Sequence, residues 1–253
     1  IMNKKFVKLN FKLDYKFILE RIKDGFYFGV TNIVVALFNS VDRVILSRLQ
    51  GDIPVSIYSI AFNMVKYFYF LQNIVFGALF PIQAKMFIES KDRLLLISKQ
   101  MITYLYLFIT PIILLIIMLS DELLMLLFKD KYIESILLVK IMAPMVLFNL
   151  LYNVFINIIY STNNQRYALL IIIMGAIVNI SLNFLLIPVL SYNAPAIVSV
   201  FCELFVLAIT NYIVYRAIGK VHLLFNQWKI LICMAILILV NYLFLLFLNQ
   251  YIS

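Results

Sequence analysis

The chain has little of what disulfide-bonded, metal-binding and histidine-dependent proteins rely on. Its 253 residues include 2 cysteines, 1 histidine and 1 tryptophan. Cys202 and Cys233 both lie inside apolar runs, which is typical of small core residues rather than of a disulfide or a metal pair. His222 lies in a basic connection, and we interpret it as an interfacial residue.

Signatures of catalysis are also missing. No glycine-rich phosphate-binding loop occurs in the sequence, so nothing in it indicates an ATPase. Membrane acyltransferases and metalloproteases need a buried histidine or a metal cluster, and the sequence has neither pattern. We therefore predict a protein that is not an enzyme, with no catalytic residues, no metal and no cofactor beyond a coupling ion.

Acidic residues are scarce, and apolar residues dominate. The chain has 12 acidic and 21 basic residues, a net charge of +9, 65% hydrophobic residues and a mean hydropathy of +1.03. The basic residues lie mostly between long apolar runs, which argues against nucleic acid as a partner. The composition predicts an all-α fold, a polytopic bundle of transmembrane helices.

About seven apolar segments have the length of a membrane span. An amphipathic, lysine-rich stretch, residues 1–24, precedes them and suits a helix on an anionic membrane surface. The alternative for this stretch is a solvated linker. The predicted transmembrane bundle, residues 25–253, contains spans at about 25–46, 55–83, 100–120, 136–160, 167–190, 194–215 and 229–249. A basic loop is expected at 85–99, and an interfacial segment at 120–135.

The second span contains an unusual charge. Lys66 lies near the middle of the apolar run 57–81, where a charged side chain costs about 2.5–3.5 kcal/mol on insertion scales. Ser59, Lys66 and Asn73 fall on one helical face, with Asn63 close beside them. Such a polar stripe needs protein or water against it, so we expect the other helices to surround a polar interior.

Other spans carry polar stripes as well. The first has Asn32, Asn39 and Arg43 at helical spacing, with Asp42 beside Arg43. Further stripes are formed by Asn149, Asn153 and Asn157, and by Gly175, Asn179 and Asn183. The asparagines of the fourth span are interpreted as contacts between helices, which average about 0.6 kcal/mol in membranes.

The basic residues predict an orientation. If the N-terminal tail is cytoplasmic, most loop lysines and arginines fall on the inner side, which is the positive-inside pattern. Seven spans would leave the C-terminus outside, and a missing eighth helix is one explanation for this odd number. Residue 1 is Ile, so we expect either a start at Met2 or a chain cut from a longer one.

Several stretches resemble the C-terminal half of a polysaccharide flippase, an exporter of O-antigen or capsule repeat units in the multidrug/oligosaccharidyl-lipid/polysaccharide exporter superfamily. The similar stretches are VDRVIL (41–46), the helix at 57–85 with its closing Phe80-Pro81, IVNISLNFLLIP (177–188), the region around Glu203, and the tail before Gly25. One departure is Ala194-Pro195-Ala196, where the family usually has a Gly-Ala-Ala turn.

The resemblance implies a fold and a function. It implies one lobe of a two-lobe transporter in the bacterial cytoplasmic (inner) membrane, with its N-terminus in the cytoplasm. Its substrate would be an undecaprenyl-pyrophosphate-linked oligosaccharide, moved between leaflets for surface polysaccharide synthesis. Its partners would be membrane lipids, this polyprenyl-linked substrate, and a missing N-terminal lobe or a second copy.

Candidate site residues come from the charged and amide side chains within the spans. Lys66 is the first candidate for the pyrophosphate, with an ion pair to Glu203 or snorkelling as its alternatives. Arg43 has the alternative of pairing with Asp42 or lipid headgroups, and Lys140 that of an interfacial residue. The predicted substrate-binding residues are Lys66, Arg43, Asn39, Asn63, Asn73 and Lys140. The predicted residues for coupling to H⁺ or Na⁺ are Asp42 and Glu203, although Glu203 is equally well explained as a structural partner of Lys66.

Competing functions follow from the same features. A multidrug or lipid II exporter of the same superfamily is the nearest alternative, although basic and asparagine-rich stripes favour an anionic sugar lipid over a cationic drug. A membrane polysaccharide polymerase or ligase would need a large outer loop, and the outer loops here are short. An inactive half-protein is the third alternative, because one lobe cannot enclose a cavity alone.

Overall fold

The computed structural model describes residues 15–162, 164–217 and 219. Within these ranges the chain forms α-helices and two short 3₁₀ segments and has no β-strand, which confirms the predicted all-α, polytopic bundle. The helices are α1 (Tyr15–Phe38), α2 (Val41–Gln50), α3 (Asp52–Lys66), α4 (Phe70–Glu89), α5 (Lys91–Phe128), α6 (Ser135–Met142), α7 (Met145–Ser161), α8 (Gln165–Leu190) and α9 (Asn193–Ala217). The 3₁₀ segments are Tyr67–Tyr69 and Lys129–Tyr132.

Five helical segments in the described ranges are long and apolar enough to cross a membrane, and a bent pair of helices is a sixth. The five are Gly29–Gln50, Lys91–Tyr132, Ser135–Ser161, Gln165–Leu190 and Asn193–Ala217. The sixth joins Asp52–Ile74 to Gly77–Glu89 at an angle of 42°. Each of the first six predicted spans overlaps one of these segments. The seventh, at 229–249, and residues 1–14 of the predicted linker lie outside the described residues.

Helix continues where loops were predicted. In the predicted basic loop 85–99, only Ser90 lies between α4 and α5. Its hydroxyl accepts a hydrogen bond of 3.3 Å from the backbone N–H of Arg93, so it caps α5 directly. The predicted interfacial segment 120–135 is helical up to Phe128. At 38 residues, α5 is about 57 Å long, so it extends well beyond a hydrocarbon layer of about 30 Å.

Two local features shape the second span. Gly51 joins α2 to α3 with a φ of 84°, a conformation that costs a glycine little and most other residues more. At the other end of α3, the 3₁₀ segment Tyr67–Tyr69 follows Lys66 immediately. The change in helical repeat alters the phase of the side chains there. Lys66 before the segment and Gln72 and Asn73 after it nevertheless face the same side of the bundle.

The core is formed around α7 and α9. Most residues of α7 are buried, including its three asparagines, Asn149, Asn153 and Asn157. The helix α9 packs against α7 and α8, α1 packs against α8, and α4 packs against α7. This arrangement surrounds the junction of α3 and α4 with α1, α7, α8 and α9, which is where the polar side chains converge.

Candidate functional site

A cavity of about 640 Å³ lies between α1, the junction of α3 and α4, and α7 to α9. Its residues Asn32, Tyr67 and Asn73 are exposed, so the cavity is accessible from the surface of the bundle. The lining is Thr31, Asn32, Val35, Phe38, Asn39, Lys66, Tyr67, Tyr69, Phe70, Gln72, Asn73, Asn149, Tyr152, Asn153, Ile156, Tyr160, Ile172, Glu203 and Val206. One cation, one carboxyl group, several amides and several aromatic rings therefore share one space inside the membrane-spanning part.

Two cations lie over one aromatic ring at the edge of this cavity. The Nζ of Lys66 is 5.2 Å from the centroid of the Phe62 ring, and the guanidinium carbon of Arg43 is 5.5 Å from the same centroid. Cations at such distances are attracted by the negative face of the ring. Lys66 is part of the cavity lining and Arg43 is not. Lys66 and Arg43 thus place two positive charges on one aromatic ring next to the cavity.

The side chain of Arg43 is held by the backbone between α1 and α2. Its Nη2 donates a hydrogen bond of 2.9 Å to the carbonyl oxygen of Asn39, the residue after the last turn of α1. The contact between Arg43 and Asp42 is a different one, in which the backbone N–H of Arg43 donates to Oδ1 of Asp42 at 2.8 Å. Their side chains form no ion pair in the described part of the chain, contrary to the alternative that the sequence left open.

Glu203 is a buried residue of α9 that also lines the cavity. Its Oε1 accepts a hydrogen bond of 3.2 Å from the hydroxyl of Tyr69 and one of 3.4 Å from the Nδ2 of Asn149. Glu203 and Lys66 line the same cavity, but the ion pairs between described residues are Arg93–Glu89 and Lys140–Asp121. The structural pairing with Lys66, which the sequence left open, is therefore absent among these residues, and amide and phenol groups hold the carboxyl group instead.

A chain of amides continues from Glu203 along the wall. Nδ2 of Asn153 donates to the carbonyl oxygen of Asn149 at 2.7 Å, one turn earlier on α7. Nε2 of Gln72 donates to Oδ1 of Asn153 at 3.2 Å, and this bond links α4 to α7. The predicted contact between helices thus exists at Asn153, and it also faces the cavity. The wall presents both hydrogen-bond donors and acceptors.

Comparison of the sequence with family models identifies the protein family of this chain. The model of the MatE family matches residues 28–185, more than half of the chain. The chain belongs to the MatE family. MatE proteins are membrane transporters of the multidrug/oligosaccharidyl-lipid/polysaccharide exporter superfamily and are not enzymes, so this chain is a multi-pass transporter protein. Searches of curated proteins and of solved structures found no match.

The MatE match includes most of the cavity. It begins in α1, before Thr31, and ends in α8, after Ile172. Glu203 and Val206 of α9 line the cavity but lie beyond the matched residues. The carboxyl group of the site therefore comes from the part of the chain that the MatE match does not include.

Asp42 of this MatE protein lies in a separate buried cluster. Its Oδ2 accepts a hydrogen bond from the hydroxyl of Tyr58, and that hydroxyl lies 3.2 Å from Oγ of Ser199. Asp42 is not part of the cavity lining. The cluster links α2, α3 and α9, and Asp42 also accepts a hydrogen bond from the backbone N–H of Arg43.

The remaining predicted residues divide by position. Asn39 and Asn73 line the MatE cavity together with Lys66 and Glu203, whereas Asn63 is exposed on α3 and does not. Lys140 lies elsewhere, with its Nζ 2.7 Å from Oδ1 of Asp121. The structure thus brings together Asn39, Lys66, Asn73 and Glu203, and it leaves Arg43, Asp42, Asn63 and Lys140 outside the cavity lining.

The connection that precedes α6, the helix of Lys140, contacts another connection. There the turn between α8 and α9 meets the connection before α6, and hydrogen bonding to Glu134 raises the pKa of Tyr192. Both residues lie within turns or at helix ends, outside the cavity lining. Glu134 and Tyr192 thus form a contact between two connections and are not part of the cavity.

Several cavity residues did not stand out in the sequence. The most important are Tyr69 and Gln72, which follow Lys66 at intervals of three residues and contact Glu203 and Asn153. That spacing is a signal that sequence analysis can use, because residues three apart share a helical face. Tyr152 lines the cavity beside Asn153 and has no such signal. No group of three or more His, Cys, Asp or Glu residues able to hold a metal occurs in the described ranges.

Proposed function

We propose that this MatE protein moves a lipid-linked oligosaccharide, with an undecaprenyl-pyrophosphate carrier, across the bacterial cytoplasmic membrane for surface polysaccharide synthesis. The observation that carries the proposal is the position of Lys66 in a cavity whose other polar groups are mostly amides and phenols. A pyrophosphate with its sugars cannot cross hydrocarbon without charged and hydrogen-bonding groups along its route. This cavity supplies both kinds of group.

Lys66 is proposed to meet the pyrophosphate. An ammonium group is a compact charge with three donors, and here it is half-buried with Arg43 on the same aromatic ring. Glu203 supplies the carboxyl group of the cavity lining, and it forms no ion pair with Lys66 among the described residues. Lys66 is therefore available to an anionic ligand.

The amide and aromatic wall is proposed to meet the sugars. Asn149, Asn153 and Gln72 offer donors and acceptors that match hydroxyl groups. Tyr67, Tyr152 and the other cavity rings offer apolar faces with polar tips. A volume of about 640 Å³ is within the common range of ligand sites, about 300–1,000 Å³, so it suits a few sugar units rather than a polymer.

Coupling, orientation and partners complete the proposal. Glu203 is the proposed coupling group for H⁺ or Na⁺, because it is the carboxyl group that lines the cavity within the described residues. Asp42, bonded to Tyr58, is the second candidate. The N-terminus is proposed to be cytoplasmic, and a further lobe or a second copy is proposed to cover the exposed side of the cavity.

A second function is favoured by the same carboxyl group. Multidrug export is equally compatible with the family match, and a buried acid such as Glu203 attracts cationic drugs. The two functions differ in which charged residue transport requires. Loss of Lys66 would abolish movement of an anionic sugar lipid, whereas loss of the acidic group at Glu203 would abolish movement of a cation.

The experiment uses the full-length protein in liposomes of neutral lipid. We would measure the movement of a fluorescent polyprenyl-pyrophosphate oligosaccharide and, separately, of a cationic dye. Lys66→Ala is expected to lower movement of the sugar lipid by at least about tenfold, the effect of losing one charge-assisted contact of about 1.5–3 kcal/mol. Lys66→Arg is expected to retain most of it.

The matched control is Lys85→Ala, which removes an exposed lysine from α4. It is expected to behave like the unchanged protein, and the amount of each variant in the liposomes is measured by immunoblot. Normal movement of the sugar lipid by Lys66→Ala would overturn the role of Lys66. Movement of the dye but not of the sugar lipid by the unchanged protein would replace the proposed function with multidrug export.

A further inference from the structure

Gly175 marks a close approach of three helices behind the cavity. A methyl group built on this glycine of α8 would lie 2.6 Å from Cγ2 of Val206 on α9 and 3.5 Å from Cε2 of Phe38 on α1. Carbon atoms in favourable contact lie about 3.5–4.0 Å apart. A residue larger than glycine therefore requires either the Val206 side chain or the packed helices to shift.

The two neighbours of Gly175 are part of the cavity wall. Val206 and Phe38 both line the cavity, and so does Ile172, which lies one turn before Gly175 on α8. Gly175 itself is buried and is not part of the lining. Gly175 therefore packs against two side chains, those of Val206 and Phe38, whose positions set the width of the cavity.

We propose that Gly175 is a size-determining residue of the transport cavity. The absence of a side chain lets Val206 and Phe38 withdraw toward α8, and this keeps space for a bulky substrate. A larger residue would drive one or both side chains into the cavity and would exclude large substrates before small ones. The inference rests on the proposed function only in taking this cavity as the place where the substrate binds.

The structure could also accommodate a larger residue at Gly175 by moving the helices apart, and this response predicts a different size selectivity. If the added side chain instead separates α8 from α9 and α1, the cavity keeps its width or grows. Large substrates would then be accepted as well as before, although the protein would be less stable. Measuring size selectivity separates the two responses, whereas measuring stability alone does not.

The first experiment reports on the cavity without any substrate. In full-length protein with Cys202 and Cys233 replaced by alanine, Val35→Cys places one thiol in the lining, on α1 one turn before Phe38. Maleimides of increasing size are then reacted with it. With Gly175→Leu, the rate with the largest reagent is expected to fall at least about tenfold relative to the smallest, as over-filling a packed wall would produce.

The chain offers a matched control for the added bulk. A methyl group on Gly77 would meet nothing within 4 Å, so Gly77→Leu adds the same side chain to open space on α4. It is expected to leave the size dependence of labelling unchanged. Equal labelling of Gly175→Leu and the unchanged protein at every reagent size would overturn the proposal, and so would a loss that is equal for all sizes.

A milder variant covers the case in which Gly175→Leu does not fold. Gly175→Ala is expected to shift the size limit less, and the double variant Gly175→Ala/Val206→Ala to restore it, because removing the Val206 methyl groups relieves the 2.6 Å contact. A size limit that Val206→Ala does not restore would contradict the mechanism.

A second readout links the cavity to transport. The ratio of movement of long to short oligosaccharide lipids in liposomes is expected to fall for Gly175→Ala and to recover in the double variant. If the unchanged protein moves no oligosaccharide lipid, the proposed function fails while the labelling still decides the role of Gly175. If the protein moves them but the labelling is independent of size, the role of Gly175 fails alone.

Discussion

The hydroxyl of Tyr69 donates a hydrogen bond of 3.2 Å to Oε1 of Glu203. Tyr69 is the last residue of the 3₁₀ segment that separates α3 from α4, and Glu203 lies on α9. Both side chains line the cavity that contains Lys66. The bond therefore ties the interruption of the second span to the carboxyl group that we propose for coupling.

Replacing Glu203 tests the coupling role. Glu203→Gln keeps an oxygen that accepts from Tyr69 and Asn149 but removes the charge, so transport is expected to lose its dependence on a proton or sodium gradient. Glu203→Asp keeps the charge and is expected to keep the dependence. The measurement is movement of substrate in liposomes with an imposed gradient of each ion in turn.

Tyr69→Phe is the control for the hydrogen bond itself. It removes the donor to Glu203 and leaves the carboxyl group, so the dependence on the gradient should persist. Unchanged dependence in Glu203→Gln would show that Glu203 has a structural role, and Asp42 would become the coupling candidate.

The buried cluster around Asp42 predicts an effect on stability. Tyr58 is fully buried, and its hydroxyl bonds to Asp42 and lies 3.2 Å from Oγ of Ser199. Tyr58→Phe keeps the ring but leaves the carboxyl group with one donor fewer, which is expected to lower the free energy of unfolding by about 1–3 kcal/mol. Thermal unfolding of the purified protein in detergent measures the change.

An exposed tyrosine is the matched control for this substitution. Tyr212 is 58% exposed on α9, so Tyr212→Phe is expected to change the free energy of unfolding by less than about 0.5 kcal/mol. Equal effects of the two substitutions would show that the Tyr58 hydroxyl contributes nothing beyond an ordinary surface group.

The ion pair of Lys140 predicts a small and local effect. Its Nζ lies 2.7 Å from Oδ1 of Asp121, and the two side chains are 35% and 50% exposed. A double-mutant cycle with Lys140→Ala and Asp121→Asn is expected to give a coupling of about 0.2–1 kcal/mol that shrinks in high salt. Transport should remain near that of the unchanged protein. A loss of transport comparable to that of Lys66→Ala would restore Lys140 as a substrate-binding candidate.

The sequence was sufficient for the class of fold because hydrocarbon imposes strong constraints on composition. Apolar runs of span length can be recognised without knowing how they pack, and the first six predicted spans overlap the six observed segments. The errors lie at the ends of helices. A charged segment such as 85–99 was assigned to a loop, although lysine, arginine and glutamate are good helix formers and Ser90 alone interrupts the helix.

The sequence also predicted which residues share one face of a helix, but it did not predict which other helices pack against that face. Periodicity grouped Asn63, Lys66 and Asn73, yet Asn63 lies outside the cavity lining and the other two lie in it. Asn63 and Lys66 both lie on α3, before the 3₁₀ segment, so the difference between them depends on which helices pack against α3, and the periodicity of one helix does not specify its neighbours.

The sequence by itself determined that the chain is a bundle of membrane helices with a lysine inside it, because apolar length and a misplaced charge are local properties. Only the tertiary structure decided that Lys66 shares a cavity with Glu203, that Tyr69 and Asn149 hold the carboxyl group, and that Gly175 lies behind Val206. These relationships join residues far apart in the chain. They depend on which helix faces pack together, and that choice is made by the fit of all the helices at once.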